Sequence, residues 1–170
     1  MRFALTARNH RVAMLALSAL GTLVPAALRA EKPDVRVTLV APPRLAAGTR
    51  ATVVVEMALG NGWHVNSHAP GEKFLIPTDV SLTTTRGTLS EVRYPRHVEK
   101  RFAFSGQAML VYEGTVRFEA DLSLPADASG DAVIAGTVAF QACNDRQCFA
   151  PSKLPVDAKI LVVPPATSGR

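Results

Sequence analysis

Two cysteines, Cys143 and Cys148, are the only ones among the 170 residues. They lie in the stretch AFQACNDRQCFAPSKLP. Two thiols this close can form a structural disulfide, contribute to a metal site, or act as a redox pair that exchanges disulfides. If the chain turns over NDRQ, a hairpin places the cysteines opposite each other with Cα atoms about 4.5 to 5.5 Å apart. That separation is within reach of a disulfide.

The residues around the pair leave a structural disulfide and a redox pair as open alternatives. A closed loop of about six residues stabilises a fold by only roughly 2 kcal/mol, against about 4.7 kcal/mol for a loop of about 100 residues. A disulfide placed for stability would connect more distant segments. The 140 residues after the first 30 can also bury a core without a staple. These points favour exchange chemistry without excluding a structural role.

A metal site would need further ligands, and four residues could supply them: His64, His68, Met57 and Met109. The two histidines have the i, i+4 spacing that places two ligands on one helix face, but the segment GWHVNSHAPG is not helical. We therefore predict that these histidines are loop or surface residues. We expect no metal and no cofactor. A cysteine hydrolase is disfavoured because two neighbouring thiols oxidise readily.

The first thirty residues have the order of a secretory signal peptide. Arg2, Arg8 and Arg11 precede an apolar run over residues 12–28, and Ala30 stands before the polar sequence EKPD. We predict that residues 1–30 are removed and that the mature protein is exported; the alternative is an uncleaved N-terminal anchor. No later segment is long and apolar enough to cross a bilayer, so no membrane span is expected after cleavage. An exported chain meets an oxidising compartment, where the cysteines form a disulfide by default.

Export also changes the charge of the protein. The complete chain has 19 Lys and Arg against 14 Asp and Glu, and four of the arginines belong to residues 1–30. The mature domain is therefore almost neutral and has no cluster of basic residues. This argues against nucleic acid and anionic lipid as partners.

Short runs rich in Val, Ile, Leu, Thr and Phe recur between turn residues over the rest of the chain. No run has a sustained helical period with caps. The pattern predicts an all-β fold, an immunoglobulin-like antiparallel β-sandwich, as one domain over residues 31–170. Segments 60–78 and 95–106 do not have strand patterns and are predicted to be long loops that carry aromatic residues. The predicted strands cover residues 34–41, 50–59, 78–84, 88–95, 108–113, 115–124, 132–143 and 156–163.

Four motifs together resemble the N-terminal periplasmic domain of the protein-disulfide reductase DsbD and its relatives. They are GWHVNSHAPGEKFLIPTDV, YPRHVEKRFAFSG, VYEG and FQACNDRQCFAP, within a resemblance that covers residues 34–163. The most specific part is the aromatic, Gln and Cys that precede a second Cys, an apolar residue and Pro. The resemblance implies an immunoglobulin-like sandwich that relays electrons through one cysteine pair, here Cys143 and Cys148.

The resemblance also implies partners and a cap. The partners would be thioredoxin-like periplasmic proteins or domains, with a membrane electron transporter supplied by another chain. An aromatic cap would shield the cysteines, with Phe104 as the first candidate and Phe102 as the second. Tyr94 and Tyr112 are candidates to line the site.

Two departures from the family pattern limit these implications. Four residues separate the cysteines here, where the best-known relative has five, and acidic residues beside the cap are not evident. The direction of electron flow therefore stays open. The alternative is a non-enzymatic binding or accessory module with a structural disulfide, active in periplasmic redox or metal handling.

Overall fold

The computed structural model describes residues 32–102 and 105–165. The predicted signal peptide, residues 1–30, lies outside these ranges. The described residues form twelve β-strands and no helix. The strands are β1 (Val35–Val40), β2 (Arg44–Ala46), β3 (Arg50–Leu59), β4 (His64–Asn66), β5 (Asp79–Thr84), β6 (Thr88–Leu89), β7 (Val98–Arg101), β8 (Ala108–Glu113), β9 (Thr115–Ser123), β10 (Gly130–Phe140), β11 (Ala142–Cys143) and β12 (Ser152–Val163).

The strands assemble into three four-stranded sheets. Their orders are β1-β3-β9-β6, β2-β12-β10-β5 and β11-β4-β8-β7. All pairings between these strands are antiparallel except that of β12 with the short strand β2. The alternation of exposed and half-buried residues along β1 is the pattern of a strand with one face on a core.

The core lies between the first two sheets and is formed by two apolar clusters. One cluster includes Val53, Leu122, Ile134 and Ile160, all fully buried. The other includes Val55, Trp63, Tyr112, Phe118 and Phe140, and it reaches the third sheet. Each cluster joins residues of the first two sheets, which is how the inner faces of a β-sandwich pack. The predicted immunoglobulin-like sandwich is confirmed.

The strand predictions hold for the long strands but fail in the two predicted loops and over residues 88–95, where only Thr88–Leu89 is a strand; the short strand β2 was not predicted. Strand β4 lies inside segment 60–78, and strand β7 lies inside segment 95–106. Both are short, with three and four residues, and β7 consists of exposed residues without apolar alternation. Strands of this kind are held by their neighbours, so their own residues give little pattern to detect. They matter because both belong to the sheet that carries the cysteines.

Residues 32–102 and 105–165 contain no helix with the length and apolar character needed to span a bilayer.

Candidate functional site

The two cysteines are joined by a disulfide across a tight hairpin. Cys143 ends β11 and forms an antiparallel bridge with Cys148. The backbone amide of Asn144 donates to the carbonyl of Gln147 at 2.9 Å, which closes the four-residue turn. The Asn144 side-chain oxygen also accepts hydrogen bonds from the amides of Arg146 and Gln147. The predicted hairpin disulfide is confirmed, and Asn144 explains locally why the chain turns there.

The two sulfur-bearing residues differ in exposure. Cys143 is fully buried, whereas Cys148 is exposed. Cys148 also lines a groove of about 350 Å³. Segments 70–75 and 105–109 supply the other residues of this groove. A molecule in the groove can therefore contact Cys148, while Cys143 is out of its reach.

The strand register places the cysteines in a row with two further polar residues. Cys148 lies opposite Cys143, Cys143 lies opposite His64 on β4, and His64 lies opposite Glu113 on β8. Directly opposed residues of antiparallel strands project to the same face, with Cβ atoms about 4.5 to 5.5 Å apart. One face of the third sheet thus carries sulfur, sulfur, imidazole and carboxylate in succession.

His64 is deeply buried within this row. Its exposed fraction is 1%, and neither ring nitrogen has a hydrogen-bond partner among the described residues. The ring stacks on Phe102, with centroids 4.0 Å apart and an interplanar angle of 13°. Lys100 lies 5.5 Å from the centroid of Phe102 and forms an ion pair with Glu113.

Burial lowers the pKa of His64 from 6.5 to about 4. Desolvation of the charged form is the main cause, and the positive charge of Lys100 acts in the same direction. The carboxylates of Glu113 and Asp145 oppose the shift of the His64 pKa but do not outweigh burial. His64 is therefore a neutral imidazole at neutral pH.

The prediction that both histidines are loop or surface residues is wrong for His64. The residue belongs to a three-residue strand between a turn at Gly62 and the loop that begins at Ser67. Because all three residues of β4 are buried, the strand has no polar and apolar alternation that would identify it. His68 fits the prediction better: its side chain is about 45% exposed and stacks on Tyr94 at 3.6 Å.

Phe102 and Phe104 were the predicted cap residues. Phe102 is buried with Met109 and Val111, and its ring stacks on that of His64. Phe104 lies outside the described residues. The cap role of both residues stays a prediction.

Tyr94 and Tyr112 lie in the core cluster that reaches the third sheet. Both rings make edge contacts with Phe118, at 5.6 and 5.7 Å. Tyr112 lies opposite Val65. Since neighbouring residues of a strand face opposite sides, Tyr112 is on the other face of the sheet from His64. The structure does not bring these tyrosines to the disulfide, and their role in lining the site stays a prediction.

The hairpin is anchored by aromatic packing on that other face. Trp63 precedes His64 and Phe149 follows Cys148, and their rings pack with centroids 5.1 Å apart. Both residues belong to the core cluster of Phe118. The amide of Phe149 also donates to the carbonyl of Ala142 at 2.9 Å. The disulfide is thus carried by a hairpin whose base is fixed to the core.

Polar contacts fix the loop that leads from β4 to the groove. The side-chain amide of Asn66 donates to the carbonyl of Ile76 at 2.9 Å, and the Thr78 hydroxyl donates to the carbonyl of Asn66 at 2.6 Å.

Within residues 32–102 and 105–165, no group of three or more His, Cys, Asp or Glu residues is arranged to hold a metal ion.

The lowered pKa of His64 predicts a loss of stability in mild acid. The unfolded chain takes up a proton near pH 6.5, whereas the folded chain does so only near pH 4. Below pH 6.5 the unfolded state therefore binds more protons, and the free energy of unfolding falls as the pH falls. By pH 4 this loss amounts to about 3 kcal/mol. Urea unfolding at pH 7 and at pH 4 measures it.

Two variants isolate the contribution of His64 from that of the carboxylates. His64→Gln cannot take up this proton, so its free energy of unfolding should depend less on pH than that of the wild type. His97→Gln removes an exposed histidine and should keep the wild-type dependence. Equal pH dependence in wild type and His64→Gln would contradict the assignment.

The family model described as thiol:disulfide interchange protein DsbD, N-terminal, matches residues 36–159. Among solved structures, the chain is similar to the N-terminal periplasmic domain of ScsB from Proteus mirabilis, with 15% identity, a TM-score of 0.48, and coverage of 72% of this chain and 43% of that chain. It is also similar to the reduced N-terminal domain of DsbD from Neisseria meningitidis, with 15% identity, a TM-score of 0.43, and coverage of 66% and 79%. No curated protein matches the chain.

An all-β domain with an accessible disulfide on an anchored hairpin fits a thiol–disulfide exchange domain. The match over residues 36–159 makes the assignment specific: the chain belongs to the family of DsbD N-terminal domains. The description of that family is a thiol:disulfide interchange protein. The chain spans less than half of the Proteus chain, so the activity of a whole relative is not carried over to it.

Proposed function

We propose that this domain relays electrons through Cys143 and Cys148 to or from thioredoxin-like periplasmic proteins, and that another chain supplies the membrane electron transporter. The observation that carries the proposal is the unequal exposure of the two cysteines. A structural disulfide gains nothing from one sulfur at a groove, whereas exchange requires one sulfur that an incoming thiolate can reach.

The unequal exposure supports different roles for the two sulfurs. In the oxidised domain, a partner thiolate attacks Cys148, and the electron pair of the broken bond leaves with Cys143 as a thiolate. The second cysteine of the partner, as a thiolate, then attacks the partner's first sulfur in the mixed disulfide. This attack releases Cys148. The partner loses two electrons and becomes a disulfide, and the domain becomes a dithiol. The reverse sequence, in which Cys148 attacks a partner disulfide and Cys143 resolves it, passes electrons outward.

The groove beside Cys148 fits the segment of a partner that surrounds its reactive cysteine. Apolar side chains of Phe74, Leu75 and Met109 line it, and Phe74 is 79% exposed. An exposed aromatic next to a reactive sulfur offers apolar contact area to a partner. The remaining polar edge, which includes Glu72 and Gln107, can hydrogen-bond to a peptide backbone.

A cap over the cysteines remains part of the proposal. Ser105, Gly106 and Gln107 line the groove that contains Cys148. These residues directly follow Phe104, which we retain as the proposed shielding aromatic, with Phe102 as the second candidate. Removal of the proposed cap should raise the rate at which small oxidants and alkylating agents react with the reduced cysteines.

Trapping with a single-cysteine variant tests the proposed function. Cys143→Ala keeps the accessible sulfur but removes the resolving thiol, so a mixed disulfide with a thioredoxin-like partner should accumulate on Cys148. Non-reducing electrophoresis with mass spectrometry identifies the cross-linked residue. Absence of any mixed disulfide, together with a reduction potential far below about −300 mV, would instead indicate a structural disulfide.

A further inference from the structure

We propose that His64 hydrogen-bonds to the sulfur of Cys143 whenever that sulfur carries negative charge, and so controls the reactivity of the buried half of the pair. The proposal rests on the proposed exchange function, in which Cys143 is the leaving group in one direction and the resolving nucleophile in the other. In both directions a thiolate must exist at a fully buried position.

The position of Cys143 makes a free thiolate costly. A charge that is transferred out of water loses its hydration and needs a nearby donor to replace it. Cys143 ends a two-residue strand whose neighbours are Cys148 on one side and His64 on the other. While Cys143 is a thiolate, Cys148 is bound to the partner. His64 is then the remaining polar side chain that lies directly opposite Cys143.

The state of His64 suits this task. The ring is 1% exposed, and in the oxidised protein neither nitrogen has a hydrogen-bond partner within residues 32–102 and 105–165. Buried polar atoms without partners are rare and often mark a group that acts in another state of the protein. One nitrogen of a neutral imidazole carries a proton and can donate it to a hydrogen bond. The stack on Phe102 limits the orientations that the ring can adopt.

Burial keeps the His64 ring neutral rather than protonated, although two carboxylates lie near it. Glu113 lies opposite it on β8, Lys100 on β7 pairs with Glu113, and Asp145 lies in the hairpin turn. Burial and Lys100 lower the pKa of the ring to about 4 despite the two carboxylates. In the oxidised protein the ring is therefore neutral, and one of its nitrogens is able to donate a hydrogen bond to a thiolate at Cys143. The protons that complete the dithiol come from the thiols of the partner through solvent.

The titration of the Cys143 thiol tests this inference without any partner protein. In the Cys148→Ala background, Cys143 is the one remaining cysteine, so absorbance of the thiolate at about 240 nm reports its pKa directly. We expect His64→Phe, which keeps an aromatic ring against Phe102 but removes the donor, to raise the pKa of the Cys143 thiol. His64→Gln retains an N–H donor and should restore part of the difference. His68→Gln is the matched control and should leave the thiol pKa unchanged.

The kinetic consequence is measured in the two-cysteine protein. Reduction of the disulfide by a small dithiol should be roughly tenfold slower in His64→Phe than in wild type, because a charge-assisted hydrogen bond is lost. The rate in His64→Gln should lie between the two. A purely structural role for His64 would change the melting temperature without moving the thiol pKa.

A measurement on the wild-type sequence covers the case in which the variants do not fold. The ¹⁵N chemical shifts of the His64 ring should report a neutral imidazole in both redox states, with a shift of the protonated nitrogen on reduction. An unchanged ring on reduction, or an unchanged Cys143 pKa in folded His64→Phe, would overturn the inference. If His64→Phe raises the pKa of the Cys143 thiol but no mixed disulfide can be trapped, the exchange function is refuted instead.

Discussion

Replacement of Cys148 by alanine is expected to abolish thiol–disulfide exchange completely. Cys148 carries the sulfur at the groove, and Cys143 is fully buried behind it. The chain has no third cysteine that could substitute. The assay mixes the reduced domain with an oxidised thioredoxin-like protein and follows both redox states by alkylation and gel mobility.

Cys143→Ala is the matched control for this experiment. Both variants lose the same disulfide, so each should lose the same roughly 2 kcal/mol of loop-closure stabilisation. Any difference in exchange between them therefore reflects the position of the remaining sulfur. Cys143→Ala should still form the mixed disulfide, although it cannot complete turnover. Equal formation of mixed disulfide by the two variants would contradict the role of exposure.

The long strands and the hairpin could be predicted from the sequence because their signals are local. Strands β3, β9 and β10 have nine to eleven residues with strong β-forming composition. The spacing of Cys143 and Cys148 allows few geometries other than a hairpin disulfide. These features need no knowledge of which strands become neighbours.

The burial and placement of His64 could not be predicted because they depend on the register of three separate segments. Strand β4 is three residues long, and its neighbours β8 and β11 lie far along the chain. The row from Cys148 to Glu113 exists only after all these pairings have formed. The sequence resemblance pointed to the cysteines and a cap, but no local signal in GWHVNSHAPG separates a buried histidine from an exposed one.

The two predicted loops illustrate the same limit in another way. They were predicted to be long loops that carry aromatic residues, and segments of both line the groove beside Cys148. Within them, strands β4 and β7 pair with β8 and extend the third sheet. Composition indicated that these segments differ from ordinary strands. The pairing with β8 determines that parts of them extend the third sheet. The site is therefore built where local sequence preference is weakest and tertiary contacts decide the structure.

Replacement of Phe118 by alanine should cause the largest loss of stability, about 3 to 5 kcal/mol of unfolding free energy. The ring is 1% exposed and contacts the rings of both Tyr94 and Tyr112, so its removal leaves a cavity that these residues cannot close without losing their hydrogen bonds. Phe74→Ala is the control, because that ring is 79% exposed and its loss should change stability by less than about 0.5 kcal/mol. Urea unfolding of the oxidised proteins measures both values. A loss below about 1 kcal/mol in Phe118→Ala would show that the core under the third sheet can collapse around the missing ring.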